Sequence, residues 1–354
     1  MKKRILTVVG ARPQFIKAAV LSKHLKNHPE IQEDILHTGQ HYDANMSEVF
    51  FEQMGIPKPT YQLQINGGTH GVMTGQMLAE IEQVLLDNSY DALLVYGDTN
   101  STLAGALGAQ KLGIKVIHIE AGLRSFNMKM PEEVNRILTD QIASLLCCPT
   151  TLAMDNLKDE GFDQKEIQVV LTGDIMKDAV LEFSKDVPAL LPTPYVLATV
   201  HRQENTDDPK RLREILQALD SINEKVPVVC PIHPRTAKRI KDLNLGSKIN
   251  FIDPVGYPQM QSLIHHSDLV ITDSGGLQKE AYFHKKYSLI LRDQTEWVEL
   301  VDAGYAQLCS SDSDKIISGF ERIKSLPAIE NEDMYGSDVS EKIIQAIKKL
   351  LWEL

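Results

Sequence analysis

Short apolar segments alternate with longer segments, in which apolar residues recur every three or four positions, along most of this 354-residue chain. The short segments predict strands of a parallel sheet, because such strands are covered on both faces, and the longer ones predict amphipathic helices. In the first half the predicted strands are Ile5–Val9, Asp34–His37, Ala92–Tyr96, Lys115–Ile119 and Leu145–Cys148. In the second half they are Tyr195–Val200, Val226–Pro231, Ile249–Ile252, Leu269–Thr272 and Ser288–Leu291. Helices are predicted over Phe15–Lys26, Gly75–Leu86, Thr102–Leu112 and Pro209–Asn223.

The alternation of strands and helices predicts two doubly wound, Rossmann-like α/β domains, and the chain length also favours two domains. A proline-rich segment, residues 187–194, precedes the second set of strands, and we expect the hinge slightly earlier, near Gly173-Asp174. The last segment, Val339–Leu354, predicts an amphipathic helix that no strand follows.

A formal net charge of −11 argues against general affinity for nucleic acid or for anionic membranes, so we expect a small-molecule partner. The four cysteines have no CxxC spacing, which predicts buried thiols in a reducing compartment. The chain contains neither a signal-peptide pattern nor the roughly 20 consecutive apolar residues that span a bilayer. These observations predict a cytoplasmic protein.

Polar residues follow many of the predicted strands, and in open α/β sheets ligands bind beyond the carboxyl ends of the strands. In the first half these residues are Arg12, Lys17, Asp98, Glu120, Arg124, Glu132 and Arg136; in the second half they include His201, Arg202 and His233. A crowded carboxylate can act as a general acid or base, and a nearby arginine or lysine can stabilise a departing diphosphate. For each residue, a salt bridge between loops is the alternative interpretation.

The segment Ser274-Gly-Gly-Leu-Gln-Lys-Glu280 follows a predicted strand and opens a helix. Its glycines allow the backbone to approach a ligand, and the free N–H groups of a helix start favour a phosphate. Glu280 is placed to accept hydrogen bonds from ribose hydroxyls, although a purely structural turn has the same pattern. Neither GxGxxG nor GxxxxGK[ST] is present, which argues against NAD and ATP, and the scattered histidines predict no metal site.

In this order and spacing, the motifs resemble the non-hydrolysing UDP-N-acetylglucosamine 2-epimerases almost from end to end. The residues that carry the resemblance are Gly10-Ala-Arg-Pro-Gln-Phe-Ile-Lys17, Thr38-Gly-Gln-His-Tyr42, Gly97-Asp-Thr99, His118-Ile-Glu-Ala-Gly-Leu-Arg124, Pro131-Glu-Glu-Val-Asn-Arg136, His201-Arg-Gln-Glu-Asn205, Thr272-Asp-Ser-Gly-Gly276 and Arg292-Asp-Gln-Thr-Glu296.

The resemblance implies the glycosyltransferase-B architecture, in which two Rossmann-like domains face a cleft. One domain would comprise residues 1–173 with the C-terminal helix 339–354, and the other, UDP-binding domain residues 174–338. The resemblance also implies a homodimer and a reaction without a cofactor: UDP is eliminated across C1–C2 of a UDP-sugar, a 2-acetamidoglucal forms, and UDP adds back after C2 is reprotonated on the other face.

The resemblance carries residue roles with it. The implied catalytic residues are Asp98, Glu120, Glu132, His201, Arg12, Lys17 and Arg136. The implied UDP-binding residues are Ser274, Gly275, Gly276, Glu280 and Arg292. Family members with a second, allosteric UDP-N-acetylglucosamine site use residues around the positions of Gln40, His41 and His233. Which carboxylate removes the C2 proton stays open.

Three departures bear on the substrate. The usual Gly-Thr-Arg-Pro-Glu start is Gly10-Ala-Arg-Pro-Gln14, the usual Thr-Glu-Arg-Pro-Glu is Thr295-Glu-Trp-Val-Glu299, and residues 124–130 lack the common Trp-Pro. These variants resemble the branch that acts on UDP-2,3-diacetamido-2,3-dideoxy-glucuronate, a precursor for surface polysaccharides. Lys129 and Arg124 would then meet the C6 carboxylate, with solvated surface charge as the alternative.

UDP-N-acetylglucosamine stays an equal candidate substrate. The competing functions are a hydrolysing 2-epimerase, which releases N-acetylmannosamine, a glycosyltransferase of the same architecture, and a nucleotide-sugar sensor without catalysis.

Overall fold

The computed structural model describes residues 2–40, 55–185, 187–191, 194–330 and 334–352. Contacts divide the chain into unit 1, Met1–Ala179 with Asp333–Leu354, and unit 2, Val180–Glu332. Each crossing lies six residues from the expected boundary. The returning segment is hydrogen-bonded to the residues after Gly173, since Asp174 N donates to Tyr335 O at 2.9 Å and Ser340 N to Asp178 Oδ2 at 2.6 Å. These bonds keep residues 174–179 and 334–338 in unit 1.

Unit 1 contains a seven-stranded, wholly parallel sheet in the order β3-β2-β1-β4-β5-β6-β7. Its elements are β1 (Lys3–Val9), α1 (Arg12–Leu25), β2 (Ile31–His37), β3 (Tyr61–Gln62), α2 (His70–Asp87), β4 (Ala92–Tyr96), α3 (Asn100–Lys111), β5 (Lys115–Ile119), α4 (Pro131–Ile142), β6 (Leu145–Cys148), α5 (Thr151–Asp159), β7 (Gln168–Leu171), α6 (Ile175–Phe183), which continues into unit 2, and α14 (Val339–Trp352).

Unit 2 contains a six-stranded parallel sheet in the order β10-β9-β8-β11-β12-β13. Its elements are β8 (Val196–Thr199), α7 (Gln203–Thr206), α8 (Pro209–Asn223), β9 (Val228–Pro231), α9 (Pro234–Asp242), β10 (Asn250–Ile252), α10 (Tyr257–His266), β11 (Leu269–Thr272), α11 (Gly275–Phe283), β12 (Ser288–Ile290), α12 (Val298–Asp302), β13 (Ala306–Leu308) and α13 (Ser313–Lys324).

The interior strands are apolar because helices cover both faces of each sheet. In β1, for example, Leu6 and Val8 pack into one core cluster with Met77 of α2, while Ile5 and Val9 are equally inaccessible. The strand order reverses between β1 and β4 in unit 1 and between β8 and β11 in unit 2. At such switch points the carboxyl ends of adjacent strands leave room for a ligand. Among the described residues, no helix has the length and apolar character needed to cross a bilayer.

Candidate active site

Gln14 joins the ends of the two central strands of unit 1. Its Oε1 accepts hydrogen bonds from Gly10 N at 2.8 Å and from Ala11 N at 3.0 Å, and its Nε2 donates to Tyr96 O at 2.8 Å. The side chain is buried, and Thr102 Oγ1 is a further partner of Nε2 at 3.0 Å. The amide of Gln14 can accept at one atom and donate at the other, whereas the carboxylate of the glutamate that is usual at this position can only accept. Gln14 therefore fixes the turn before Arg12 against the turn before Asp98.

Lys17 and Glu120 form an ion pair at the carboxyl ends of β1 and β5. Their side chains are 8% and 13% exposed. Glu120 has φ of 70°, in the left-handed region that costs a residue other than glycine about 1–2 kcal/mol. The N–H groups of Glu120 and Ala121 both donate to Cys147 O at 3.1 Å, which holds this conformation. Strain maintained at a strand end, with a charged side chain on it, is typical of functional sites.

Asp98 follows β4 and pairs with Arg136 of α4. Its Oδ2 accepts a hydrogen bond from Arg136 Nε at 3.2 Å and also contacts Nη2. Arg136 Nη1 donates to the buried carboxylate of Glu133 at 2.8 Å. Burial by itself raises the pKa of Glu133, but the N–H groups of Ser125 and Phe126, together with Arg136, hold it below its usual value. Glu133 thus anchors the loop before α4 and orients Arg136 toward Asp98.

Gly97 directly precedes Asp98 and lies beside the ion pair of Lys17 and Glu120. A Cβ atom built on Gly97 would lie 3.3 Å from Glu120 Oε2 and 3.8 Å from Lys17 Nζ. The φ of Gly97 is 61°, a value that glycine adopts without strain. Two carboxylates, each paired with a cation, therefore lie at the ends of the adjacent strands β4 and β5.

Two other predicted residues of unit 1 are exposed. Arg12 opens α1, and Glu132 lies in the first turn of α4. Gln40 follows β2, and its Oε1 accepts hydrogen bonds from Ser101 N at 3.1 Å and Ser101 Oγ at 2.7 Å. His41, the neighbouring predicted allosteric residue, lies outside the described residues.

The expectation that Arg124 meets a substrate carboxylate is wrong. Its side chain is 1% exposed, and its guanidinium donates to Asp140 Oδ2 at 2.7 Å and to both oxygens of Glu160 at 2.6 and 2.8 Å. Burial by itself lowers the pKa of Arg124, but the two carboxylates raise it above its ordinary value. Arg124 therefore has a structural role, because its charge is paired with carboxylates of the protein. Lys129 lies in an exposed loop and is accessible to a ligand.

In unit 2, Asp273 organises the turn that follows β8. Its carboxylate is inaccessible and accepts hydrogen bonds from His201 N at 3.0 Å, Arg202 N at 2.9 Å and Asn205 Nδ2 at 3.1 Å. The imidazole Nδ1 of His201 lies 3.3 Å from Asp273 Oδ1, while the side chain stays 41% exposed. The ring centroid of His233 lies 6.4 Å from that of His201. Asp273 therefore sets the direction of His201.

Two arginines and one glutamate, Glu296, lie beside the start of α11. Ser274 is the N-cap residue and accepts from Leu277 N, and a Cβ built on Gly275 would lie 3.7 Å from Arg202 Nη2 and 3.8 Å from Arg292 Nη1. Glu296 holds Arg292 through two hydrogen bonds, at 2.6 and 3.1 Å. Free N–H groups at a helix start next to arginines form an environment that favours phosphate.

Trp297 lies where the resembling family commonly has arginine. Its Nε1 donates to Gly275 O at 2.9 Å, and Lys279 Nζ lies 3.9 Å from the ring centroid. The indole therefore fixes the backbone of Gly275, and its ring covers the side chain of Lys279.

Glu280 lies on α11, 7% exposed, on the side of Gly276. Its Oε2 accepts a hydrogen bond from Gln261 Nε2 at 2.9 Å, and its Oε1 lies 4.0 Å from the position of a Cβ on Gly276. Gln261 Oε1 in turn lies 2.9 Å from His284 Nε2. Burial is the main reason that the pKa of His284 is lowered to about 3, and nearby charges lower it further. The imidazole is therefore neutral and donates its proton from Nε2. This chain of hydrogen bonds holds one carboxylate oxygen of Glu280 near the helix start.

The structure gives roles to further residues, of which Gln14 was noted in the sequence only as a departure from the usual motif. Gln14, Glu133, Asp140, Gln261 and Glu296 all orient predicted site residues. Glu133 and Glu296 stood inside recognised motifs and pair with arginines three and four residues away, whereas the partners of Asp140 and Gln261 are set by tertiary contacts. Within the described ranges, no group of three or more histidine, cysteine, aspartate or glutamate side chains is arranged to hold a metal.

A profile of the UDP-N-acetylglucosamine 2-epimerase family matches residues 23–348. A UDP-2,3-diacetamido-2,3-dideoxy-D-glucuronate 2-epimerase of Pseudomonas aeruginosa is 53% identical, over 98% of this chain and 100% of its own length. A UDP-N-acetylglucosamine 2-epimerase of Methanocaldococcus jannaschii is 42% identical, over 90% of this chain and 91% of its own.

Among solved structures, the Methanocaldococcus jannaschii UDP-GlcNAc 2-epimerase in complex with UDP-GlcNAc and UDP superimposes with a TM-score of 0.83 at 39% identity. The match covers 98% of this chain and 99% of that chain. The predicted fold class is confirmed: both units are parallel-sheet α/β domains, and the relatives share this glycosyltransferase-B-like fold.

Proposed function

We propose that this chain, which belongs to the UDP-N-acetylglucosamine 2-epimerase family and is an isomerase of that type, inverts C2 of a UDP-linked 2-acetamido sugar by eliminating and re-adding UDP. The observation that carries the mechanism is the pair of cation-bound carboxylates, Asp98 and Glu120, at adjacent strand ends of unit 1. The strained backbone of Glu120 supports a functional role for that residue.

The proposed reaction needs a base and an acid on opposite faces of the sugar. One carboxylate removes the C2 proton, the C–H electron pair becomes the C1=C2 double bond, and the C1–O bond breaks with its electrons leaving on UDP. A second acid then protonates C2 from the other face as UDP returns to C1. Asp98, Glu120 and Glu132 are the candidate acids and bases, and Arg12, Lys17 and Arg136 stabilise the negative charge that develops.

Unit 2 is proposed to hold UDP. Beside Ser274, the N-cap residue, Gly275 and Gly276 present their N–H groups to the diphosphate, and Arg292, held by Glu296, lies next to them. Glu280 accepts hydrogen bonds from the ribose hydroxyls, and His201, oriented by Asp273, is a proposed catalytic residue.

We propose UDP-2,3-diacetamido-2,3-dideoxy-glucuronate as the preferred substrate. The relative that carries this name is 53% identical, whereas the UDP-N-acetylglucosamine 2-epimerase of M. jannaschii is 42% identical. The substrate differs from UDP-N-acetylglucosamine by a C3 acetamido group and a C6 carboxylate. Since Arg124 is already paired inside the protein, the exposed Lys129 is the proposed partner of that carboxylate.

Replacing Lys129 tests this assignment with an internal control. In Lys129→Met, KM for the glucuronate substrate should rise about tenfold, which corresponds to ~1.4 kcal/mol and approaches the value of a hydrogen bond to a charged group. KM for UDP-N-acetylglucosamine, which has no C6 carboxylate, should stay within twofold. Equal effects on the two substrates, or no effect on either, would remove Lys129 from the site.

Product analysis separates this function from its two enzymatic rivals. The epimerase product keeps UDP, a hydrolysing 2-epimerase releases the free amino sugar, and a glycosyltransferase releases UDP only when an acceptor is present. The cytoplasmic location, the homodimer and a second, regulatory site at Gln40, His41 and His233 stay predictions.

A further inference from the structure

The imidazole of His118 is inaccessible, and each of its nitrogens faces an oxygen that can only accept a hydrogen bond. Nδ1 lies 2.7 Å from Asp140 Oδ1, and Nε2 lies 2.7 Å from Gly97 O. A neutral imidazole carries one N–H group and can satisfy only one of these oxygens, whereas the imidazolium donates to both. The geometry therefore fits a ring that carries a proton on each nitrogen.

The charges around the ring fit the same state. Asp140 also accepts from Arg124 Nη1 at 2.7 Å and from Gly122 N at 3.2 Å, and Arg124 pairs with Glu160. With His118 protonated, the network contains two cations, the buried carboxylate of Asp140 and the carboxylate of Glu160, which is 31% exposed, so its formal charges sum to zero. Burial by itself raises the pKa of Asp140, but His118 and Arg124 hold it below its usual value.

The bond to Gly97 O acts on the turn that presents Asp98. Gly97 N donates to Ile119 O at 2.9 Å, and Asn135 Nδ2 donates to Asp98 O at 2.9 Å. The hydrogen bond from His118 Nε2 fixes the Gly97 carbonyl, which lies along the chain between Gly97 N and Asp98 O. The backbone of the turn is thereby fixed on both sides of the Asp98 side chain, which pairs with Arg136.

We propose that His118 is a positioning residue for the reaction: its Nε2–H holds Gly97 O and thereby fixes the Asp98 carboxylate, while Asp140 and Arg124 keep the ring oriented. This inference rests on the proposed function, because it assigns Asp98 to the chemistry. His118 touches neither the sugar nor the nucleotide. Its contribution is therefore to kcat, because displacing a reacting group by about 1 Å can cost on the order of 100-fold in rate.

Two variants separate the two bonds of the ring. In His118→Gln the amide nitrogen takes approximately the place of Nε2 and can still donate to Gly97 O, whereas in His118→Asn it takes the place of Nδ1 and can donate only to Asp140. We expect the Gln variant to keep kcat within about tenfold of wild type and the Asn variant to lose on the order of 100-fold. KM and the dissociation constant for UDP should change less than twofold in both.

A purely structural role makes a different prediction. If His118 only stabilises the fold, the loss of kcat follows the loss of thermal stability, and Asn, which keeps the buried Asp140 bond, is the less damaging replacement. That ranking, or equal kcat in the two folded variants, would overturn the proposal.

Nitrogen-15 NMR of the wild-type protein tests the hydrogen bonds without using the reaction. The His118 signals, assigned by their loss in His118→Gln, should show a proton on Nε2, the nitrogen that faces Gly97 O. A single protonated nitrogen at Nδ1 would leave Gly97 O without its donor and contradict the inference. If wild type epimerises neither UDP-sugar, the proposed function fails, and the NMR result still decides whether His118 holds Gly97.

Discussion

Removing the carboxylate of Glu280 gives a quantitative test of the UDP site proposed in unit 2. Glu280 is held by Gln261, and Gln261 is held by the neutral His284, so one oxygen, Oε1, stays fixed on the side of Gly276. The carboxylate is 7% exposed and pre-oriented, and a ribose hydroxyl would find its acceptor already in place. The variant Glu280→Ala removes both carboxylate oxygens. The ribose hydroxyl then loses its acceptor, and Gln261 Nε2 loses its hydrogen-bond partner.

The expected loss is that of hydrogen bonds to a charged group, about 1–3 kcal/mol of binding free energy. This corresponds to a dissociation constant for UDP that is roughly 5- to 150-fold higher. Because Gln261 Nε2 is left unsatisfied, we also expect the free energy of unfolding to fall by about 1–3 kcal/mol. Glu280→Gln, which keeps an oxygen acceptor, should lie between wild type and Glu280→Ala in affinity.

Isothermal titration calorimetry with UDP measures the change directly. Glu214→Ala is the matched control, because it removes a carboxylate from α8 of the same unit, where Glu214 lies 3.9 Å from Lys210. That variant should bind UDP as wild type does. A dissociation constant for Glu280→Ala equal to that of wild type, in a protein with a normal circular dichroism spectrum, would refute the ribose assignment.

Two further predictions concern catalysis and acid stability. Asp98→Asn should abolish turnover while calorimetry shows unchanged affinity for UDP; a joint loss of binding and fold would make Asp98 structural. Burial lowers the pKa of His37 to about 4. Since its unfolded pKa is about 6.5, the unfolded chain binds the proton first, and stability should fall as the pH drops from about 6.5 to 4, by up to ~3 kcal/mol. Urea unfolding of His37→Leu at pH 7 and pH 5 should show a smaller loss than wild type; an equal loss would place the acid sensitivity elsewhere.

Apart from Ile249–Ile252, which is at an edge of the second sheet, the strands that the sequence predicted are those inside the sheets. Continuous apolar runs such as Ala92–Tyr96 occur because both faces of the strand are covered. The strands absent from the prediction, Tyr61–Gln62, Gln168–Leu171 and Ala306–Leu308, are all at sheet edges. An edge strand is short and partly exposed, so its sequence differs little from that of a loop.

The candidate site shows the same division between local and tertiary information. Strand-end motifs placed Asp98 and Glu120 near each other, because parallel strands end at a common edge. The partners of those residues follow from contacts between distant segments. Arg124 is an example, because its guanidinium binds Asp140 and Glu160, which lie 16 and 36 residues further along the chain. No periodic pattern in the sequence predicts this pairing. Its charge was visible in the sequence, but its burial was not.

Proton NMR in D2O tests the central claim most directly. Purified protein is incubated separately with UDP-2,3-diacetamido-2,3-dideoxy-glucuronate and with UDP-N-acetylglucosamine, and the H2 signal of the sugar is followed. The account predicts loss of H2 by exchange with solvent, a manno-configured product that still carries UDP, and faster conversion of the glucuronate. Retention of H2 in both sugars by a folded protein that binds UDP would contradict it.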